Sequence, residues 1–449
     1  MNETRTQAGP PIATGTGSPD NGAPLQRPGQ TSPAIAGPNE LQEAPRTVAR
    51  ASTLEDYTEL HGEGEIAELR SLASRLQGKS ILMVNSTSMG GGVAEMLHRI
   101  VPLLGELAIP IRWDVISGGE EFFAITKAFH NALQGGPYDL PDASFQKFLA
   151  NSEENRSRLK FDADIVVIHD PQPAALIDAR EGKFGHWIWR CHIDLSQPNQ
   201  KVWSFLAPFV HRYDGAVFSS PAFARQLPIP QYLSSPSIDP LSDKNRDLDE
   251  RTVEEVVARF HIDSHRPILT QISRFDRAKD PLGVVRAYQI VKRYLDCQLL
   301  LAGGGAADDP EGAEVLAEVR EAAGNDPDIH ILDLPPWSAL EINALQRAST
   351  IVIQKSLREG FGLTVTEALW KKKPVVASAV GGIPSQVIHK HTGLLAHSIE
   401  GTAYQIRFLL SNPAIAQKLG DQGHEHVREN FLIVSNVRRV VTLFLHHLR

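Results

Sequence analysis

Hydrophobic positions along the chain are grouped, from about residue 80 onward, into short apolar runs that are bounded by turn-forming residues. Runs of this kind are typical of strands that are buried on both faces of a parallel sheet. In the first half of the chain the predicted strands are 80–84, 111–116, 164–168, 187–191 and 215–218. In the second half they are 267–272, 298–302, 329–332, 351–354 and 374–378. The pattern therefore predicts two consecutive series of buried strands.

Segments with apolar residues at helical spacing, such as 93–108, separate these runs. Because parallel strands need crossover connections, usually helices, the alternation predicts an α/β fold with doubly wound sheets. A polar and charged stretch at about 236–262 lies between the two series, and we expect a hinge there. The sequence thus predicts two Rossmann-like domains, 51–250 and 251–430, that face each other across a cleft.

Both ends of the chain differ from this pattern. Residues 1–50 are rich in Pro, Gly, Thr and Gln and contain no Phe, Trp or Tyr. Such a segment buries too little apolar surface to offset its loss of conformational entropy, so we predict a disordered tail. Residues 431–449 carry apolar residues at helical spacing, and a final helix there can pack on either domain.

The charge of the chain narrows the classes of partner. A formal net charge of −8 argues against a general binder of nucleic acids or anionic membranes, because such proteins are usually basic. Lys371, Lys372 and Lys373 form a dense basic run, for which we expect a solvated helix end. The apolar runs are shorter than the ~18 residues of a membrane-spanning helix, and the N-terminus lacks the apolar core of a secretory signal.

The two cysteines, Cys191 and Cys297, lie in separate apolar runs, so we predict buried free thiols. Free thiols suit a reducing compartment, and the expected location is the cytoplasm.

The string 358–367 follows a predicted strand directly and then opens a helix. Glu359 and Glu367 are eight residues apart, which places one in the loop and the other in the first turns of the helix. Ligands of open α/β sheets bind at this edge. Gly360 and Gly362 allow a ligand to approach the backbone, and a helix start suits an anion such as a diphosphate. The alternative is a capped helix with acidic residues near its positive end.

A second string, 273–280, follows the first strand of the second series and contains Arg274 and Lys279. Two fixed cations at a strand end can bind the negative charge of a phosphate or diphosphate group without a metal. The alternative is an exposed loop with ordinary charges.

Glycines Gly90, Gly91 and Gly92 join the first strand to the first helix of its series. A glycine run at a helix start lets a phosphate or a sugar approach the backbone N–H groups. The run does not follow the G-x-G-x-x-G pattern of dinucleotide-binding proteins, and a plain glycine-rich turn is the alternative.

Three other strand ends carry polar or glycine residues. His169 can hydrogen-bond a bound ligand, although a lone histidine is usually structural. Arg190 and Asp194 can bind hydroxyl groups of a ligand, and a turn is expected at Gly381 and Gly382, after the strand 374–378.

The string 358–367 resembles the E-x7-E signature of the family 4 retaining glycosyltransferases. The resemblance implies the GT-B fold, in which the donor binds the C-terminal domain and the final helix, 431–449, crosses back to the first domain. It implies that Glu359 contacts hydroxyls of the donor hexose and that Glu367 holds the nucleotide ribose. The family has an Arg and a Lys at the places of Arg274 and Lys279, which implies that they stabilise the departing nucleoside diphosphate. It often has a His at the place of His169, which implies a hydrogen bond to the transferred sugar or the acceptor, and Arg190 and Asp194 would then bind acceptor hydroxyls.

The resemblance also implies a glycine turn beside the donor sugar at Gly381 and Gly382. Many members have Glu where this chain has Ser385, which bears only mildly on donor contacts. The other residues that the resemblance assigns to substrate binding are Gly360, Phe361, Gly362, Leu363, Thr364 and Glu367.

Three further strings, 84–88 with the glycine run, 129–135 and 235–242, resemble the branch of trehalose glycosyltransferring synthases and related trehalose phosphorylases. This resemblance implies transfer of glucose from a nucleoside diphosphate glucose to glucose, with retention, giving α,α-trehalose. The alternatives are a trehalose phosphorylase, a transferase with another acceptor such as a sugar phosphate or a glucan, a GT-B sugar-nucleotide epimerase, and a non-catalytic sugar-binding protein.

Metal and partner requirements follow from the same strings. No clustered Cys/His set has zinc-ligand spacing, so no metal or other cofactor is expected; Mg²⁺ is compatible with the chemistry but is not indicated. The expected partners are sugars and sugar nucleotides, with no nucleic acid and no membrane, and the sequence leaves a homodimer open.

Overall fold

The computed structural model describes residues 52–89, 91–182, 184–304 and 310–448. Two six-stranded sheets organise this part of the chain, and every pair of neighbouring strands is parallel. The disordered tail predicted for 1–50 lies outside the described residues.

The first sheet has the order β2-β1-β3-β4-β5-β6. Its strands are β1 Ile81–Asn85, β2 Ile111–Val115, β3 Ile165–His169, β4 His186–Cys191, β5 Gly215–Phe218 and β6 Gln231–Leu233. Five of the six agree with the predicted runs to within a residue at either end, and β6, an edge strand of three residues, was not predicted.

The second sheet has the order β12-β11-β10-β7-β8-β9. Its strands are β7 Ile268–Ile272, β8 Gln298–Gly303, β9 Ile329–Asp333, β10 Ile351–Gln354, β11 Val375–Ser378 and β12 Leu394–Ala396. The predicted strands are again matched to within a residue at either end, and the short edge strand β12 was missed.

Helices connect the strands and cover both faces of each sheet. They are α1 Thr58–His61, α2 Glu63–Ser74, α3 Gly91–Glu106, α4 Glu120–Leu133, α5 Ala143–Arg158, α6 Gln200–Val210, α7 Glu250–Arg259, α8 Pro281–Lys292, α9 Pro310–Ala323, α10 Ala339–Ala348, α11 Leu363–Trp370, α12 Ile383–Gln386, α13 Ile399–Ser411, α14 Pro413–Asn430 and α15 Ile433–His447. None of the helices in the described ranges combines the length and the apolar character that crossing a bilayer requires.

The strands are apolar on both sides because helices cover both faces. In β1, Leu82 and Val84 join a core with Phe129 of α4, whereas Met83 joins a second core with Leu97 of α3. Alternate residues of a strand point to opposite faces, so the uninterrupted apolar run is what burial of both faces requires.

Each sheet contains one point where the strand order reverses. In the first sheet β1 lies between β2 and β3, and in the second β7 lies between β8 and β10. Open α/β sheets bind ligands outside the carboxyl ends of the strands at such a point. The fold therefore predicts ligand contacts from the loops that follow β1, β3, β7 and β10.

The chain passes between the two sheets twice, and the two crossings lie side by side. The Ile238 N–H donates to the carbonyl oxygen of Phe431 at 2.9 Å, and Ile238 forms a parallel bridge with Leu432. The Asn436 side chain donates to the carbonyl oxygen of Ser235 at 2.9 Å. The hinge region is thus a pair of hydrogen-bonded segments rather than one flexible linker.

The polar stretch 236–262 is more structured than its composition suggests. It contains α7, which packs on α10 and buries Val256 and Val257. The final helix α15 packs against α2 and α3, and its residues Val441 and Phe444 share the core of Met83.

Candidate functional site

Two of the predicted site residues, Lys279 and Glu359, are 80 positions apart in sequence and meet at the reversal point of the second sheet. Lys279 Nζ lies 2.8 Å from Oε1 and 2.7 Å from Oε2 of Glu359, and both side chains are largely buried. Lys279 follows β7 and Glu359 follows β10, so neighbouring parallel strands deliver the two groups to one edge. The result is a fixed cation beside a fixed carboxylate.

The two loops that carry this pair are bonded to each other. The Leu357 N–H donates to the carbonyl oxygen of Ala278 at 2.7 Å, and Lys355 forms an ion pair with Asp280. Asp280 also caps α8, where its carboxylate accepts from the Gly283 N–H at 3.0 Å. The backbone around Lys279 is therefore held before any substrate arrives.

The carboxylate of Glu359 is also held from the other side. Ser356 Oγ donates to its Oε2 at 3.1 Å, and Gln354 Nε2 approaches the same oxygen at 3.4 Å. Thr364 Oγ1 in turn donates to Gln354 Oε1 at 3.1 Å. The hydrogen bond from Thr364 fixes the orientation of the Gln354 amide, so that its NH₂ group faces Glu359.

Close backbone packing explains the predicted glycine turn. Gly381 has φ +56, and a Cβ atom added there would lie 1.6 Å from the carbonyl oxygen of Glu359. The Gly382 N–H donates to the carbonyl oxygen of Gly360 at 3.1 Å. Gly362, with φ +85, occupies the N-cap position of α11. Any side chain at 381 would displace Glu359.

The second predicted cation, Arg274, is more exposed. Its guanidinium lies 2.9 Å from Asp276, and its side chain is 53% exposed. The neighbouring Arg277 reaches in another direction, to Glu318 at 2.7 Å. Arg274 is thus on the loop of Lys279 and close to the surface of the cleft.

His130, at the end of α4, is a candidate site residue that sequence reasoning did not select. Burial and then the positive charges of Arg274 and Lys279 lower its pKa to about 4. The histidine is therefore neutral at physiological pH and lies near both cations, although it belongs to the first half of the chain. The string 129–135 contained it, but nothing in that string distinguished His130 from its neighbours.

Further contacts bring the two halves together at this place. A Cβ atom added at Gly360 would lie 2.7 Å from the carbonyl oxygen of His192. One added at Gly92 would lie 3.0 Å from Cδ1 of Leu363. Arg358 reaches the turn at Gly135 and Gly136. The loop 358–363 of the second half therefore lies directly against the first half.

The predicted glycine run is described only in part. Gly90 lies outside the described residues, whereas Gly91 begins α3 and Gly92 follows it. Because Gly92 faces Leu363, the start of α3 points toward the loop that carries Glu359.

His169 and Arg190 are placed in the interior of the first half. His169 Nδ1 lies 3.0 Å from Nε2 of His192, and burial followed by the charge of Arg190 lowers the pKa of His169 to about 3. Among the described residues, His169 Nε2 has no hydrogen-bond partner. It lines, with Arg190, a cavity of about 20 Å³ under α3 and α15, which has room for one water.

Arg190 and Asp194 make local contacts. The Arg190 guanidinium donates to the carbonyl oxygen of Ser234 at 3.2 Å, and burial, followed by the charge of Arg439, lowers its pKa to about 10. Asp194 is partly buried and accepts from the Ser196 N–H at 2.8 Å. Within the described ranges, no hydrogen bond or ion pair connects His169, Arg190 or Asp194 with Lys279 or Glu359.

The remaining residues of the string 358–367 have different settings. Phe361 is buried and packs edge-to-face on Phe431, so it anchors the loop beside the chain crossing. Glu367 is 2% exposed, and its Oε1 lies 3.6 Å from Nζ of Lys244. Its Oε2 has no hydrogen-bond partner among the described residues.

The basic run after α11 is not a solvated helix end, as its composition had suggested. Lys371 is buried and donates to the side chains of Asn245 and Gln346 and to the carbonyl oxygen of Glu367. Burial lowers the pKa of Lys371 to about 7. Of the three lysines, Lys372 is exposed and Lys373 is partly buried. The expectation failed because the carbonyl groups at the end of α11 and two distant amides provide polar partners inside the fold.

The lowered pKa of His130 predicts a pH-dependent stability. Between about pH 4 and 6.5 the unfolded chain binds a proton at His130 that the folded protein does not bind. The free energy of unfolding therefore falls as the pH drops through this window. As the pH drops through this window, we expect the free energy of unfolding to fall more steeply in the wild type than in the His130→Gln variant. The difference in slope is up to about 1.4 kcal/mol per pH unit. Urea unfolding at pH 7.5, 6.5, 5.5 and 4.5 measures both slopes, and equal slopes would contradict the placement of His130.

Comparisons with known proteins identify the family of the chain. The family model described as trehalose synthase, N-terminal domain, matches residues 83–225, and the model described as glycosyl transferases group 1 matches residues 253–426. The trehalose synthase of Pyrococcus horikoshii is 43% identical over 400 residues, which cover 87% of this chain and 95% of that protein. The trehalose phosphorylase of Pleurotus pulmonarius is 29% identical over 85% of this chain and 59% of its own length.

The fold has relatives among solved structures. The sucrose-phosphate synthase of Thermosynechococcus elongatus superposes with a TM-score of 0.66 at 20% identity, covering 82% of this chain and 98% of that one. With its two parallel sheets, the chain has the GT-B fold that the resemblance implied. The chain belongs to the trehalose synthase family of glycosyltransferases.

Proposed function

We propose that this protein transfers glucose, with retention of configuration, from a nucleoside diphosphate glucose to the anomeric hydroxyl of a second glucose, giving α,α-trehalose and a nucleoside diphosphate. ADP-glucose and UDP-glucose are the donors that we consider. The family to which the chain belongs supports this reaction, and so does the chemistry that the cleft offers.

One observation carries the proposal most directly. Lys279 and Glu359 form a buried pair at the reversal point of the second sheet, where loop 358–363 meets the first half of the chain. A cation for phosphate and a carboxylate for sugar hydroxyls are the two groups that a sugar nucleotide needs at its reacting centre. Their mutual contact holds both in place, which is the preorganisation that electrostatic catalysis requires.

The cations would act on the leaving group. When the bond between C1 of the donor glucose and the diphosphate oxygen breaks, negative charge grows on that oxygen. Lys279 would stabilise this charge directly, and Arg274, on the same loop, would approach the more distant phosphate. Because these two side chains supply the positive charge, no metal is part of the proposal.

Retention requires that the acceptor attack the face from which the diphosphate leaves. In the proposed step, the acceptor oxygen forms the new bond to C1 on that face, while its proton passes to the departing phosphate oxygen. Glu359 would hold donor hydroxyls and orient the sugar rather than attack it. His130, whose pKa is lowered by burial and by the charges of Arg274 and Lys279, is a further candidate to bind the acceptor or the phosphate through a neutral ring.

The remaining groups would bind the rest of the donor. Glu367 has a buried carboxylate oxygen without a described partner, which suits a ribose hydroxyl. The N–H groups at the start of α3 face the same cleft and suit the diphosphate. Gly92 of the first half lies close to Leu363 of the second, and this approach would help to exclude the water that otherwise hydrolyses the donor.

A product assay tests the proposal. The protein is incubated with ¹³C-labelled glucose together with one donor, which is ADP-, UDP- or GDP-glucose in separate reactions. NMR then identifies any disaccharide and its anomeric configuration. The expected product is α,α-trehalose with release of one nucleoside diphosphate per disaccharide. A parallel incubation with trehalose and phosphate identifies a phosphorylase by its glucose 1-phosphate. An isomerised donor without a new glycoside, or donor binding without release of diphosphate, would overturn the proposal.

A further inference from the structure

Lys244 lies in the segment that connects β6 with α7, and it contacts acidic residues of both halves of the chain. Its Nζ lies 2.9 Å and 2.8 Å from the two carboxylate oxygens of Glu95 in α3. The same atom lies 3.6 Å from Oε1 of Glu367 in α11. One ammonium group therefore bridges the helix that begins with the glycine run and the helix that carries the ribose-binding candidate.

The segment around Lys244 is fixed on the side of α3. Asp239 forms an ion pair with Arg99 at 3.3 Å and accepts from the hydroxyl of Tyr57 at 2.9 Å. Arg99 and Glu95 are four residues apart on α3, so they lie on the same face of that helix. Two oppositely charged contacts thus attach the connecting segment to α3.

The segment is also fixed on the side of the second sheet. The side-chain amide of Asn343, in α10, donates to the carbonyl oxygens of Asp243 and Arg246 at 2.9 and 2.8 Å. These two residues flank the lysine closely in sequence. These hydrogen bonds fix the backbone on both sides of Lys244, which limits the positions that its ammonium group can occupy.

Glu367 provides a second, independent observation. It is 2% exposed, and its Oε2 has no hydrogen-bond partner among the described residues. A buried carboxylate oxygen without a partner is costly, and it marks a place where a ligand hydroxyl can bind. The contact with Lys244 uses the other oxygen, Oε1, and leaves Oε2 available.

The charges agree with this geometry. Burial alone would lower the pKa of Lys244, but the carboxylates of Glu367 and Glu95 raise it above its ordinary value. Lys244 is therefore a permanent cation at physiological pH. Removing it would leave Glu367 buried without that compensating charge.

We propose that Lys244 is a positioning residue that couples nucleotide binding at Glu367 to the placement of α3 and its glycine run. Lys244 holds Oε1 of Glu367, so that Oε2 is directed at the ribose of the nucleotide. Through Glu95 it draws the start of α3 toward the diphosphate of the same ligand. The inference rests on the proposed use of a nucleoside diphosphate donor.

The two contacts of Lys244 predict different kinetic effects. Lys244→Met removes both contacts, and we expect the Kd for ADP or UDP to rise about tenfold or more, together with a fall in kcat. Glu95→Gln neutralises only the partner of Lys244 on α3 and leaves Glu367 unchanged. We expect it to lower kcat by about three- to tenfold while the Kd for the nucleotide changes by less than about twofold. Lys244→Arg keeps the charge and is expected to restore most of the nucleotide affinity.

Lys292 provides a matched control. It is 26% exposed, compared with 22% for Lys244, and it also contacts two carboxylates, those of Asp296 and Asp328. Arg266, two residues before β7, contacts the same two carboxylates, so the cluster lies at the opposite, amino edge of the sheet. Lys292→Met is therefore expected to affect stability without affecting nucleotide affinity or kcat.

Isothermal titration with ADP and UDP, together with kcat and KM for donor and acceptor, tests the proposal on the full chain. Thermal unfolding of every variant monitors folding. A Lys244→Met variant with wild-type nucleotide affinity would overturn it, and so would equal effects of Lys244→Met and Lys292→Met, or failure of Lys244→Arg to restore binding. Failure of the proposed function is seen separately, as a wild-type protein that forms no trehalose.

Discussion

Replacing Lys279 with methionine is expected to lower kcat by about 10²–10³-fold, the usual loss when one preorganised group that stabilises a developing charge is removed. Lys279 contacts both oxygens of Glu359 and lies where the leaving diphosphate would be bound. The substitution therefore removes the stabilising charge and also one support of the carboxylate. Initial rates of nucleoside diphosphate release at saturating donor and glucose measure the effect.

Arg277→Gln is the matched control, because Arg277 lies on the same short turn and pairs with Glu318 of α9. We expect its kcat to stay within about threefold of the wild type, since exposed ion pairs contribute little. If Lys279→Met retained kcat within the same range, the assignment of Lys279 to the leaving group would be wrong.

Replacing Gly381 with alanine is expected to lower kcat by more than about 100-fold, because small displacements of reacting groups have effects of this size. The added Cβ atom would lie 1.6 Å from the carbonyl oxygen of Glu359, so the backbone of Glu359 must move. The left-handed conformation at φ +56 adds about 1–2 kcal/mol of strain. Steady-state kinetics and urea unfolding of the purified variant measure the two effects.

Gly324→Ala separates the steric effect from the backbone strain. Gly324 has φ +58, nearly the same as Gly381, but a Cβ atom added there meets nothing within 4 Å. We expect this variant to lose about 1–2 kcal/mol of stability and to keep its kcat. Similar activity losses in both alanine variants would show that strain alone, and not displacement of Glu359, lowers the rate.

The sequence predicted most of the fold because burial on both faces leaves a clear pattern. Strands such as β5 and β10 agree with their apolar runs residue for residue. The edge strands β6 and β12 have three residues each, too few to show a pattern. Helix α7 was missed because its apolar stripe is narrow, with Val256 and Val257 as its buried residues in an otherwise charged segment.

The candidate site was predictable where neighbouring strands end. Lys279 and Glu359 each follow a strand of one sheet, so pairing of β7 with β10 brings them together. His130 and Lys244 approach the cleft from other directions, through contacts between the two halves that no local pattern encodes. Lys371 shows the same limitation, since its burial depends on Asn245 and Gln346, which are distant in sequence.

The paired chain crossings at Ile238 and Leu432 restrict how the cleft can open. Two neighbouring segments that are bonded to each other can bend together, but they resist sliding or twisting of one half past the other. Such a pair would favour rotation of the two halves about an axis that passes close to these residues. Phe361, which packs on Phe431, lies near this axis and would be displaced only slightly when the cleft opens. Residues at the rim of the cleft, far from the axis, would be displaced most.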